Sequence, residues 1–469
     1  MFDRSIHWFR RDLRLSDNRA LYEACLNSKQ VIPVFVFDTN ILRKLKYKDD
    51  KRVYFIFETL MELKKELLIQ GSDILILFGD PIIEIPKIAE KLNIECVFSN
   101  KDYEPYAKNR DKKVEENLKK VNIQFLQFKD QVVFEEKEIL NISGEPYKVF
   151  TPYKNSWIKK CKKEDIFDFS PNLKNLFNKN NLNKTSDVVE IESIGFKEAS
   201  LILKPGRIGA IEKLNSFLPK LNSYDKNRNI IDLDGTSKIS IYLRFGLVSI
   251  RELFRYANNS NSTGAQIWKN ELIWREFYQM ILSQFSHVVS SSFKKEYSSL
   301  SWRGAEVHFE KWCEGQTGFP IIDAAMRCFN ETGWMHNRLR MIVASFLTKD
   351  LLVDYKKGEE YFAQKLLDYD FASNNGGWQW CASTGCDAQP YFRVFNPETQ
   401  SRNFDPQGNF IKKYCPELSF FSEKHIHAPH KADINEQSSA KCKIGLNYPF
   451  PIVHHDQQRL KAIEMFKEK

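Results

Sequence analysis

Val31–Phe37 reads VIPVFVF, seven residues without a polar side chain. Its β-branched and aromatic content is that of a strand buried on both faces, as in a parallel sheet covered by helices. Similar short apolar runs recur on either side, at Ser5–Phe9 (SIHWF), Ile74–Phe78 (ILILF), Cys96–Phe98 (CVF) and Ile123–Phe128 (IQFLQF). Between them the period changes to helical, notably over Arg52–Leu68 and Pro86–Leu92. Strand and helix in alternation predict βαβ units and a doubly wound parallel α/β sheet. No G-x-G-x-x-G follows the first strand, so no dinucleotide site is expected there.

The pattern does not continue. From Cys161 to Leu201 the chain is rich in Asn, Lys, Asp and Ser, as in NLKNLFNKNNLNKTSD (Asn172–Asp187), the composition of a surface connection. From Gly209 onward the strand patterns stop and helical ones take over. The expected plan is an α/β domain over 1–132, a linker over 133–205 and an all-helical domain over 206–469. At 469 residues the chain is too long for one ordinary core, which agrees with more than one domain.

Composition narrows the partners. The net charge of +9 suits a polyanion, though charge alone also describes many soluble proteins. No run of 18 apolar residues occurs, so no membrane partner is expected. The opening MFDRSIHWFRRDLR is charged from the start and predicts a cytoplasmic protein. Nine cysteines lie between Cys25 and Cys442 with no C-x-x-C pair; reduced packing thiols are expected, and no metal site.

Two helical segments carry more than a core stripe. In Ile267–Ile281 (IWKNELIWREFYQMI), Leu272, Ile273, Phe277, Met280 and Ile281 form an apolar face. Trp268, Glu271, Arg275 and Tyr278 follow one another at single-turn offsets, with Trp274 beside them. A solvated face normally carries Lys and Glu. Two Trp and a Tyr point instead to the wall of a pocket that stacks on a heterocycle, or to a helix buried on two sides. The second segment runs from Met335 to Leu351. It pairs a core stripe of Leu339, Ile342, Val343, Phe346 and Leu347 with a face of Asn337, Arg340 and Met341, Arg338 adjacent. That set suits a flat polar ligand and a phosphate, or a surface arginine cluster. Then Leu367–Pro397 brings Asp368 and Asp370, two Asn, paired Gly376–Gly377 and two Trp within NNGGWQW (Asn374–Trp380). Paired glycines argue for close backbone approach, and the acids for a ligand or a helix cap.

These segments, with WFRRDLRLSDNRAL (Trp8–Leu21), DGTSKISIYLRFG (Asp234–Gly246) and TGWMHNRLRMIVASFLTKDLL (Thr332–Leu351), resemble the photolyase and cryptochrome family in order and along nearly the whole chain. The resemblance implies an α/β domain, a long linker and a helical domain that holds one FAD. It places Tyr224 and Thr236, Ser237, Lys238, Ile239 and Ser240 at the FAD phosphates and adenine side. It places Trp268, Arg340, Asp368, Tyr369, Asp370 and Asn374 around the remainder, with Arg340 balancing acid charge. Asn374 matches the residue facing flavin N5, where a neutral amide suits a reduced anionic ring. Glu271, Trp274, Tyr278, Asn337, Met341 and Trp380 match residues around a flipped-out pyrimidine dimer, and Arg228, Arg275 and Arg338 match contacts to the DNA. The implied partner is double-stranded DNA containing such dimers, met by a monomer. The implied chemistry is light-driven transfer of one electron from reduced FAD to the dimer and back.

Within the family, enzymes for the six-four photoproduct carry two adjacent His where this chain has His336 and Asn337. The Asn, with Met341 one turn on, is similar to the class I cyclobutane dimer enzymes. A photoreceptor cryptochrome is the alternative. Two positions depart from the pattern. The family photoreduces its flavin through three Trp; Trp378 and Trp302 match the inner and outer members, but Tyr355 stands in the middle. A Tyr carries a hole only by losing its proton, so photoreduction is expected to be slower or to follow a different aromatic, with repair unaffected. The folate-binding Cys-Lys pair is absent from His287–Trp302, while NKDYEPYAKNRD (Asn100–Asp111) is similar to relatives that bind a deazaflavin or a flavin. The expected second chromophore is therefore 8-hydroxy-5-deazaflavin or a flavin rather than methenyltetrahydrofolate, or none.

Overall fold

The apolar runs become β1 (Phe2–Phe9), β2 (Ser28–Asp38), β3 (Leu75–Gly79), β4 (Cys96–Asn100) and β5 (Gln124–Phe128). The computed structural model describes residues 1–181, 186–188 and 190–468. Every pairing is parallel, in the order β3-β2-β1-β4-β5. The direction of winding reverses between β1 and β4. The sheet is doubly wound, as expected, because strands this apolar need helices over both faces. Ile6, Trp8, Val34, Leu77 and Val97 are buried in its core with Val114 and Leu118.

The helices that follow the strands are α1 (Arg19–Asn27), α2 (Lys51–Ile69), α3 (Pro81–Lys91) and α4 (Pro105–Lys120). The expected helix at Pro86–Leu92 is too short at its start. Asp80 caps it by accepting from Ile82 N at 3.0 Å, and Pro81 opens the first turn. Pro86 then sits inside the helix, where it cannot donate to Ile82 O. Asn117 Nδ2 supplies that bond instead, at 3.2 Å.

The stretch expected as a linker includes residues 182–185 and 189, which lie outside the described residues. Around them it forms α5 (Phe150–Lys160) and short 3-10 turns. Beyond β5 the described residues contain helices, turns and isolated bridges but no further sheet. The functional helices are α6 (Thr263–Gln284), α7 (Asn337–Ser345), α8 (Tyr355–Lys365) and α9 (Phe371–Cys381). The expected helix at Met335–Leu351 is regular only to Ser345; Phe346–Asp350 is a π-helical turn. There the Thr348 hydroxyl donates to Ala344 O at 2.8 Å and competes with the backbone ladder.

The chain divides into two units. The first is Met1–Tyr147, Thr151–Asn222 and Ser237–Gln284, with the sheet and α6. The second is Lys148–Phe150, Ser223–Thr236 and Phe285–Lys469, with α7, α8 and α9. Its core gathers Trp312, Phe329, Leu339, Ile342, Val343, Phe362 and Trp378. All nine cysteines are free. Among the described residues no helix is long and apolar enough to cross a membrane, and no cluster of ligating side chains is placed to hold a metal.

Candidate functional site

In the first unit the site residues lie on α6. Leu272, Ile273, Phe277, Met280 and Ile281 are buried, as the apolar period predicts. Glu271, Trp274, Arg275 and Tyr278 form the partly exposed face. Trp274 packs on Tyr278 with ring centroids 5.4 Å apart, so the aromatic surface is continuous. Trp268 differs from its expected neighbours. It is buried, with its ring 5.3 Å from that of Phe217. Arg275 donates Nη1 to Gln131 O at 2.7 Å, which fixes its guanidinium at the rim of the helix. In the segment before α6, Ser237 and Ile239 are buried, Lys238 adopts a left-handed φ of 50°, and Ser240 begins a short helix to Arg244.

In the second unit α7 begins at an N-cap that sequence reading had not assigned: His336 Nδ1 accepts from Arg338 N at 3.1 Å. This is a structural task. Asn337 is exposed and Met341 partly so, over the core of the unit. Arg340 donates through Nη2 to both carboxylate oxygens of Asp368, at 3.0 and 2.8 Å, and through Nε to Met335 O at 2.8 Å. The expected charge balance between these two residues is present. Asp370 does something else. It caps α9, accepting from Ser373 N and Oγ at 3.0 and 2.9 Å.

Asn374, on the first turns of α9, donates Nδ2 to Glu359 O at 3.0 Å. The amide is thereby oriented. Its Oδ1 accepts from none of the described residues. Gly377 lies one turn along the same face. A Cβ added there would meet nothing within 4 Å, so this glycine does not serve close backbone packing as expected. It borders open space.

Trp378 is buried against Phe362 and Trp312, at centroid distances of 5.1 and 6.1 Å. Its ring also presses on Gly358 of α8, where a Cβ would lie 2.2 Å from it. Tyr355 opens α8 and is buried, with its ring 6.4 Å from that of Trp302. Burial pushes the Tyr355 hydroxyl up to about 12. Trp380 is partly exposed beside the same core, as is Tyr369, while Tyr224 is buried and Thr236 partly exposed.

One cluster was not legible in the sequence. Arg338 is half-buried, stacks 4.4 Å over Phe404 and donates Nη2 to Asn229 Oδ1 at 2.8 Å. Its Nε is buried without a partner. Burial lowers its pKa, and the charges of Arg228 and Arg393 lower it further. Arg228 and Arg338 were expected together; Arg393 was missed, because three positions so far apart in the chain share no local period.

Residues 5–172 match the DNA photolyase family, and residues 268–468 match the FAD binding domain of DNA photolyase. The chain belongs to the DNA photolyase family. It is 38% identical to the deoxyribodipyrimidine photo-lyase of Synechococcus, over 98% of this chain and 96% of that one. A class III photolyase from Agrobacterium tumefaciens superposes with a TM-score of 0.92 at 30% identity, over 100% of this chain and 98% of that one. A Synechocystis cryptochrome superposes at 0.88 and 26% identity, covering 99% of each chain.

Proposed function

We propose that this chain is a deoxyribodipyrimidine photo-lyase, repairing pyrimidine dimers in double-stranded DNA with light and bound FAD. The observation that carries the reading is α6. Its partly exposed face bears Glu271, Trp274, Arg275 and Tyr278, over a buried apolar stripe of Leu272, Ile273, Phe277, Met280 and Ile281. End-to-end similarity to relatives of that name supports it.

The residues fit an FAD. Asn374 offers an acceptor oxygen beside the open space at Gly377. Arg340 and Asp368 form a pair with no net charge, so the acid adds little repulsion toward an anionic ring. We assign Thr236, Ser237, Lys238, Ile239 and Ser240, with Tyr224, to the phosphate and adenine side, where hydroxyls and backbone N–H groups suit phosphate oxygens. Trp268 and Tyr369 complete the set. When bound, FAD supplies the light-excited one-electron donor.

The chain's own residues then bind and orient the lesion. Trp274 and Trp380 offer stacking faces for an extruded dimer, and stacking of this kind is worth about 1–3 kcal/mol per base. We assign Glu271 to a hydrogen bond with a pyrimidine edge, and Tyr278, Asn337 and Met341 to contact with the lesion. Arg228, Arg275 and Arg338 hold the flanking backbone. We assign Trp302, Tyr355 and Trp378 to reduction of the cofactor. Tyr355→Trp is expected to speed photoreduction and Tyr355→Phe to slow it. No change in either removes Tyr355 from the route.

The second chromophore has less room. Where the strand order reverses, Arg10 donates Nη1 to Asp111 at 2.5 and 2.6 Å, and Arg110 binds Asp111 Oδ1 at 2.9 Å. The neighbouring cavity, bordered by Lys101, Tyr103, Asp111 and Gln127, holds about 210 Å³. Small-molecule pockets usually exceed about 300 Å³.

The reading is tested by repair. Photoreduced protein under blue light is expected to restore dimers in duplex DNA to pyrimidines. Intact dimers after illumination mean a photoreceptor instead.

A further inference from the structure

Glu276 lies on α6, on the side opposite the open face, and is 1% exposed. The sequence shows it only as an acid inside an apolar stripe. Three donors converge on its carboxylate. Val133 N reaches Oε2 at 2.7 Å, while Phe134 N and Trp157 Nε1 reach Oε1 at 3.0 and 2.5 Å. The Trp157 ring is itself fixed, stacked 4.6 Å from Phe254 and edge-on to Phe134 at 5.3 Å. The preceding residue, Arg275, donates to Gln131 O. Adjacent side chains of α6 thus grip residues 131–134 with opposite polarity, one donating and one accepting.

A buried carboxylate is costly, and a well-packed apolar residue usually stabilises such a site as much or more. What the carboxylate adds is direction. Three donors and no acceptor define one rotation and one height of α6 against segment 131–134. We infer that Glu276, as the anion, is a positioning residue that holds the open face of α6 in register for dimer-containing DNA. The inference rests on the reading of that face as the lesion contact.

Burial pushes the Glu276 carboxyl up to about 7, against the pull of Trp157, Val133, Phe134 and Arg275. The other ionisable groups that face it are the hydroxyls of Tyr103 and Tyr153 and the thiol of Cys161. Burial holds all three protonated far above neutrality. Glu276 is therefore the group of this cluster that titrates near neutral pH. Protonation removes the charge that draws the three N–H donors and adds an O–H for which they offer no acceptor, so the hold on the register of the helix weakens. The sign for stability is the reverse. A carboxyl whose folded pKa is raised from 4.5 to about 7 favours the folded state below about 4.5, and that contribution is lost as pH rises to 7.

The two readouts therefore separate. Between pH 8 and pH 6 the melting temperature of the native protein should gain on that of Glu276→Gln. Over the same range its advantage in binding a duplex with one thymine dimer should disappear. At pH 8, Glu276→Gln should bind that duplex on the order of tenfold more weakly, since a small misplacement of aligned groups is expensive. Trp157→Phe removes one donor only; it should fold, and lose affinity at a higher pH than the native protein does. Trp274→Ala tests the underlying face. If it keeps full affinity, the lesion-face reading fails and this inference with it. If Trp274→Ala loses affinity while Glu276→Gln changes only the melting temperature, positioning by Glu276 alone is overturned. Affinity and melting temperature moving together in both Glu276→Gln and Trp157→Phe also overturns it, because a purely structural role predicts that.

Discussion

Two arginine clusters in this molecule are built on opposite terms. In the first unit Arg14 and Arg251 are buried and flank Asp130, which takes charge-assisted bonds from both at 2.7–2.8 Å. Arg251 also reaches Asp17 at 2.9 Å, and Arg255 reaches it at 2.8 Å. Each guanidinium meets a carboxylate, and the remaining donors find backbone oxygens such as Gly246 O. In the second unit Arg338 is half-buried among charges of its own sign, with one nitrogen unsatisfied. The first cluster is complete within the chain. The second has the electrostatics of a site that an anion completes, the role proposed above for a DNA backbone.

The contrast is open to direct attack. Asp130→Ala should be the most damaging change, because it strips the buried Arg14 of its bonded carboxylate and leaves the buried Arg251 with Asp17 alone. A loss of about 3–5 kcal/mol is expected in denaturant unfolding. A loss under about 1 kcal/mol would mean that the hub is solvated. Acid should expose the same feature. Burial raises the Asp130 carboxyl, but Arg14 and Arg251 pull it down to about 2. Its folded pKa is thus below the unfolded value of 3.8, so its stabilisation is present above about pH 4 and lost as pH falls toward 2. Unfolding followed through that window should show a fall on the order of 2 kcal/mol that Asp130→Asn lacks.

Arg338→Ala should behave in the opposite manner. Its melting temperature should stay level or rise, since a half-buried like charge is removed. Binding to dimer-containing DNA should weaken roughly tenfold, and the slope of log affinity against log salt should fall by about one. A lower melting temperature with unchanged binding would make the second cluster structural, like the first. Arg393→Ala should have the smallest effect, a few-fold in affinity with the same sign in the salt slope. A slope identical to that of the native protein removes Arg393 from the DNA surface.

The sheet was readable because parallel strands buried on both faces have no polar positions, and runs such as VIPVFVF state this residue by residue. The core stripes of α6 and α7 were readable for the same reason. Local cues that compete with one another were harder. At α3 the Asp80–Pro81 start lay ahead of the pattern, and Pro86 seemed to open a helix that in fact runs through it. At Met335–Leu351 the apolar period continued across a turn that is π-helical, where the Thr348 hydroxyl bonds Ala344 O.

The sequence by itself determined the layers, the buried stripes and, through resemblance, the family. Only the tertiary structure decided what each polar side chain does. Asp368 pairs with Arg340 while Asp370, two residues on, caps a helix. Asn374 is oriented because Glu359 O takes its Nδ2 end. Glu276 is held by donors from segments far away in the chain. The physical reason is the same throughout. Burying apolar surface needs only a face, which periodicity reveals, whereas a hydrogen bond needs a particular partner at a particular angle. That partner is local in sequence only at caps and turns.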